Sequence, residues 1–197
     1  SILIQNNKVV ALEPNIKEYK NCIQIIDLNN RVVIPGLIDN HIHYIRIANR
    51  PGYDLRALEV TFNINDALSV IEAKTKKVPK GKMITTIGGI RRTQWAEKRF
   101  PSLSELDAIS PDHPVYLSER GAGPGQTNSL AKNMLQELGI DVKEDGSISN
   151  GSETAKAYDV LASSLTNEDR KRQMKDVSNY ALSVGLTTVM DMSGTVP

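Results

Sequence analysis

A chain of 197 residues is long enough to bury a core of its own, and 40% hydrophobic with 24% charged residues is the balance of a soluble globular protein. The 24 basic and 23 acidic residues leave a formal net charge of +1, which gives no electrostatic case for nucleic acid or an anionic membrane as partner. Cys22 is the only cysteine, which excludes an intrachain disulfide.

In chain order, Ile2-Leu3-Ile4 and Lys8 to Leu12 flank Asn6-Asn7 and read as a β-hairpin. Pro14 to Asn21 is polar and loop-like. Ile23 to Leu28 reads as a strand, Asn29-Asn30 as a turn, and Arg31 onward as a second strand that runs to His43. The texture then changes. Ala67, Leu68, Val70, Ile71 and Ala73 fall at helical spacing, with Asn63 or Asn65 as cap and Pro79-Lys80-Gly81 as stop. Met83 to Ile87 is a short strand, followed by a loop rich in Arg and aromatic residues through Trp95 to Phe100. Ser102-Leu103-Ser104-Glu105 is a capping box that opens a helix. Val115-Tyr116-Leu117 is a strand, Asn128 caps a helix stopped by Gly139, and Asp145-Gly146 is a hairpin tip. Helices over Thr154–Leu165 and from Thr166 to Gly185 lead to a last strand, Leu186 to Asp191. Alternation of strand and helix predicts parallel βα units. About four such strands are visible, too few to close an eight-stranded barrel.

The strongest chemical signal is His41-Ile42-His43 at the end of the apolar run that begins at Val32. Only three histidines occur in the chain, and two are here. A strand has a side-chain period of two, so both imidazoles face one way and make half of a zinc-type site. The competing reading is a pair of partly exposed polar residues. Pro35-Gly36 implies a bend that re-aims the strand, and Asp39 and Asn40 are candidates to orient the rings.

Asp191 also ends an apolar strand. It reads either as a catalytic group near the metal (a ligand, proton acceptor or orienter) or as a cap in the Met192–Thr195 loop. Trp95, the only tryptophan, is a candidate to bind substrate or else to anchor its own loop. The glycine run Gly121–Gly125 lacks the residues of a P-loop or a dinucleotide fingerprint, so no nucleotide cofactor is expected. His113 reads as surface, and Cys22 as a small core or rim residue. No apolar run approaches the length of a membrane span, and no signal pattern opens the chain. A cytoplasmic location is therefore expected, although a chain that opens on Ser1 could have lost a leader.

The run Ile34-Pro35-Gly36-Leu37-Ile38-Asp39-Asn40-His41-Ile42-His43 resembles the first barrel strand of metal-dependent amidohydrolases, whose pattern is PGxIDxHxH. Lys80 to Ile84, Phe100 to Asp107, Ser110 to Val115 and Gly185 to Asp191 are similar to the branch often called amidohydrolase 3. The resemblance implies a distorted (β/α)8 barrel with a small β-sandwich. It implies hydrolysis of a C–N bond, commonly an amide, by metal-bound hydroxide, with His41 and His43 as the first two ligands. The remaining ligands of that family lie on later strands and have no match in these 197 residues. The family's Gly-His ahead of Asn128-Ser129 is absent, and Leu12 to Ile23 is short for the sandwich.

These readings combine into an α/β protein, a partial (β/α)8 TIM-type barrel preceded by a small antiparallel β-module. Residues 1–30 would be the N-terminal β-sandwich portion and 31–197 the first βα units of an incomplete barrel. The expected cofactor is a divalent metal, zinc by preference. The expected partners are a small amide-type substrate and either a second copy of the chain or a missing C-terminal half. Two alternatives stand beside this one: a non-catalytic α/β binding module, and a small enzyme that assembles its site across a dimer.

Overall fold

Asn6 and Asn7 take positive φ (49° and 61°) and turn β1 (Ile2–Gln5) into antiparallel β2 (Lys8–Leu12). Asparagine tolerates that region, as a two-residue hairpin requires. The computed structural model describes residues 1–15, 24–119, 123–149 and 151–193, in two compact units, Ser1–Pro35 and Gly36–Pro197. Cys22, Gly121, Ala122 and Gly194-Thr195 lie outside the described residues. In the first unit Asn29 and Asn30 form the expected turn, closed by Arg31 N–H donating to the Leu28 carbonyl at 3.0 Å. Residues 24–28 and 31–36, expected as strands, are not in regular structure. Ile25, Ile26 and Val32 are exposed there. β-branched composition makes a strand only where a neighbouring strand accepts the ladder.

The second unit starts with β3 (Leu37–Ile42), which pairs in parallel with β9 (Leu186–Asp191). Gly36 is required just before it, because a Cβ at that position would run into the Thr187 side chain. After β3 come α1 (Tyr44–Ala48), β4 (Tyr53–Asp54) and a 3-10 turn over Arg56–Val60. Helix α2 (Ile64–Thr75) starts where the Asn63 side chain accepts the Asp66 N–H at 2.8 Å. Then follow β5 (Ile84–Ile87), α3 (Leu103–Ile109), β6 (Val115–Ser118), β7 (Gly125–Thr127), α4 (Ser129–Glu137) and β8 (Ser147–Ile148). Helices α5 (Ser152–Ser163) and α6 (Asn167–Ser183) lead into β9.

The strands between β3 and β9 build a separate five-stranded sheet in the order β4-β5-β6-β7-β8. Its first three strands are parallel, and β7 and β8 join antiparallel. This mixed α/β arrangement replaces the expected run of consecutive parallel βα units. The reason is visible after β6: residues 119–124 are too few for a crossover helix, so the chain folds straight back. The sheet is covered on both faces. Val115 and Leu117 pack with Ile71, Trp95 and Leu106, whereas Tyr116 between them packs with Leu135 and Leu161. That alternation is the strand period of two.

A charged joint ties the start of this sheet to α6. Asp54 accepts from Arg56 Nε at 2.8 Å, with Arg50 Nη1 at 3.8 Å, and Lys74 Nζ reaches the Asp54 carbonyl at 3.2 Å. Burial pushes the Asp54 carboxyl up to about 6, against the pull of Arg50. Arg172 of α6 lies 3.8 Å over the Tyr53 ring, and Gln173 Nε2 donates to the Gly52 carbonyl at 3.1 Å.

Asn128 is the most heavily used polar side chain of the sheet. Fully buried, its Oδ1 accepts from Val115 N–H at 2.9 Å and Ala131 N–H at 3.0 Å, and its Nδ2 donates to the His113 carbonyl at 2.8 Å. Asn128→Ala strands these groups and is expected to cost about 3 kcal/mol of stability, read as a lower denaturant midpoint with an unchanged slope. Glu105 closes the Ser102 capping box and is gripped by both terminal nitrogens of Arg99, at 2.7 and 2.9 Å. Arg99 holds the Glu105 carboxyl down at about 2, from an ordinary 4.5. Because the folded value lies below the unfolded one, this contribution is present above pH ~4.5 and is lost as pH falls toward 2. Glu105→Gln is expected to flatten the acid limb of a stability–pH curve.

Candidate metal centre

His41 lies on β3 and His43 just past its end, where it becomes the N-cap of α1. Both residues are exposed, with ring centroids 6.0 Å apart and planes at 87°. Two imidazole nitrogens at about 2.1 Å from one zinc ion, at a tetrahedral angle, put their centroids roughly 5 Å apart. The observed 6.0 Å is close to that spacing. Among the described residues no group of three His, Cys, Asp or Glu side chains is placed to hold a metal. Catalytic zinc ordinarily has three protein ligands, so this donor set is incomplete by itself.

The neighbouring carboxylates face the backbone. Asp39 Oδ1 accepts the His41 N–H at 2.9 Å, which steadies the strand rather than a ring nitrogen. Parallel pairing sets Asp191 opposite Ile42. Its Oδ1 accepts from Tyr44 N–H at 2.8 Å, Ser193 Oγ–H at 2.6 Å and Ser193 N–H at 3.2 Å. The Ser193 hydroxyl and these N–H groups hold the carboxyl below its usual range. Through Oδ1 Asp191 caps α1 from across the ladder and bonds Ser193 in the residues that follow it. Tyr44 and Ser193 were not singled out in the sequence. The only available signal was a short polar Asp-x-Ser after a strand.

Trp95 is 1% exposed, donates Nε1–H to Thr61 Oγ1 at 2.8 Å and meets Phe100 edge-on at 6.0 Å. This corrects the expectation that it contacts substrate: the indole is enclosed in the core and anchors its own loop. His113, expected at the surface, is 5% exposed and sets Nδ1 3.1 Å from the Lys82 carbonyl. Gly125 belongs to β7 rather than to a phosphate cradle, since a Cβ there would press on the Tyr116 ring. A cleft of about 350 Å³ lined by Arg92, Lys98, Arg99 and Gln126 includes neither histidine nor Asp191. Two of its cations are already paired, Arg99 with Glu105 and Arg92 with Glu119. No helix among the described residues is long and apolar enough to cross a membrane.

N-substituted formamide deformylase of Arthrobacter pascens is 26% identical over 183 residues, covering 85% of this chain and 34% of that protein. Protein LONG AFTER FAR-RED 3 of Arabidopsis thaliana is 25% identical over 185 residues, covering 87% of this chain and 31% of its own. The crystal structure of an uncharacterized metal-dependent hydrolase from Pyrococcus furiosus superposes with a TM-score of 0.49 at 21% identity, over 80% of this chain and 32% of that one. The chain thus spans about a third of the length of the curated relatives it matches. The model of the amidohydrolase family matches residues 24–196, a stretch that includes His41, His43 and Asp191, and the chain belongs to that family.

Proposed function

We propose that this chain is the N-terminal part of a metal-dependent hydrolase that acts on non-peptide C–N bonds of the amide type. The observation that carries the reading is the pair of exposed imidazoles, 6.0 Å apart, at the C-terminal end of a strand that pairs in parallel with β9. Family membership supports a hydrolase, and the formamide deformylase among the relatives supports an amide-type substrate. In this reading β3 and β9 are neighbouring strands of a barrel, and the five-stranded sheet is an excursion between them.

His41 and His43 would hold the ion through ring nitrogens, a donor type that suits zinc. Once bound, the metal supplies a water whose pKa is lowered toward about 7 and a Lewis acid for the substrate carbonyl. The chain's own contribution is placement. The strand places His41 and the turn into α1 places His43, and Asp39 and Asp191 hold the backbone on either side. Further ligands and the group that moves the proton come from outside the described residues.

A second reading, a non-catalytic module that pairs with a missing half or with a second copy, has one observation in its favour. Leu37, Ile38 and Met190 on the two-stranded β3–β9 sheet are 50%, 64% and 58% exposed. An exposed apolar face on a sheet of only two strands invites pairing. Size measurement with and without zinc separates the two readings, because pairing through this sheet does not depend on metal.

The isolated 197-residue chain is expected to bind Zn²⁺ and to show no turnover of N-substituted formamides or simple amides. A longer polypeptide carrying this chain is expected to hydrolyse such substrates, with His41→Ala or His43→Ala lowering kcat/KM at least about a thousandfold. Zinc binding that survives the double substitution His41→Ala/His43→Ala removes the site, and metal-dependent turnover by the isolated chain overturns its expected inactivity.

A further inference from the structure

The end of β9 and the residues just after it grip the end of β3 and the start of α1 at alternate residues, Ile42, Tyr44 and Arg46. Met192 N–H donates to the Ile42 carbonyl at 2.7 Å, Tyr44 N–H donates to Asp191 Oδ1 at 2.8 Å, and Arg46 N–H donates to Ser193 Oγ at 3.2 Å. The same Ser193 hydroxyl donates to Asp191 Oδ1 at 2.6 Å, so the two side chains act as one unit. His43 sits between the first two of these grips. Its backbone, at φ −97° and ψ 63°, is neither helical nor extended, and its own side chain makes no capping hydrogen bond. A five-residue helix has little intrinsic stability. Its first N–H group would be an orphan without a partner from elsewhere. Asp191 provides that partner from 147 residues away.

We infer that Asp191 and Ser193 form a latch that positions His43, with Asp191 acting through the Tyr44 backbone and not as a metal ligand or proton acceptor. The inference rests on the reading of His41 and His43 as ligands, and it assigns Ser193 a part at that site. The backbone at His43 sets where its Cβ points; Met192 N–H holds the peptide group before it and Asp191 holds the one after it. Oδ1 accepts three hydrogen bonds and is committed to the latch, so a ligand or proton acceptor role would fall to Oδ2 and would need the negative charge.

A cap needs an acceptor, which asparagine keeps, whereas a ligand or proton acceptor needs the negative charge. The test is therefore Asp191→Asn against Asp191→Ala, with Ser193→Ala as a milder third variant. Zn²⁺ is titrated into the 197-residue chain while the His41 and His43 ring resonances and the Tyr44 amide exchange rate are followed. Trp95 fluorescence, from the buried core, certifies that each variant is folded. Asp191→Asn is expected to bind zinc within about threefold of the wild type and to keep Tyr44 protected. Asp191→Ala is expected to lose about 10- to 100-fold in affinity, the range for partners that orient a ligand, and to speed Tyr44 exchange. Ser193→Ala is expected to fall between them.

If Asp191→Asn falls as far as Asp191→Ala, the charge is needed and the latch is overturned. If Asp191→Ala keeps both affinity and protection, the latch is likewise overturned. Absence of any zinc response at either wild-type ring removes the metal reading instead. The latch is then judged on the metal-free Tyr44 exchange and the His43 ring resonance, which Asp191→Ala must shift and Asp191→Asn must not.

Discussion

The parallel ladder between β3 and β9 is the constraint on which the candidate site depends. It carries His41 on β3 with His43 just past its end, and Asp191 at the end of β9 with Ser193 beyond it. Without it, Asp191 and Tyr44 would lie at the ends of a very long segment. Closing a flexible loop of that size costs about 4 kcal/mol, by the logarithmic dependence on length. The segment is not left flexible. It folds as a five-stranded sheet with helices on both faces, and its two ends are held together by side chains of their own. Arg170 reaches Asn49, Gln173 reaches Gly52, and Arg172 stacks on Tyr53. The ladder thus joins ends that the excursion has already brought close.

Polar side chains around the histidines are turned toward peptide groups. Asp39 bonds the His41 N–H and Asp191 the Tyr44 N–H, so one oxygen of each carboxylate stiffens the backbone beside a histidine. The same economy recurs in the inserted sheet. Asn128 completes the backbone bonding of β6 and α4 from a fully buried position, and Trp95 is held by Thr61, which itself donates to the Leu58 carbonyl at 2.8 Å. Residues that look like site chemistry in a linear reading serve here as internal struts.

Local features were legible in the sequence because their causes are local. The Asn6-Asn7 turn, the Asn63, Ser102, Asn128 and Thr166 caps, and the strand at Leu186–Asp191 each follow from neighbours within four residues. Errors arose where a partner was needed. Residues 24–28 have strand composition but no ladder, and β6 and β7 turn antiparallel because of the short connection between them. Trp95 and His113 sit in polar stretches of sequence, yet each is enclosed by residues brought from other elements.

By itself the sequence determined that His41 and His43 lie two residues apart at the end of an apolar run, whereas the structure sets His41 on β3 and His43 just past its end with a backbone that is neither extended nor helical. The sequence likewise determined the family, through a motif read without any fold. Only the tertiary structure decided what Asp191 and Ser193 do, because their hydrogen bonds cross to Tyr44 and Arg46 over 147 residues. A hydrogen bond is set by distance in space, and no spacing along the chain encodes which strand will lie beside which.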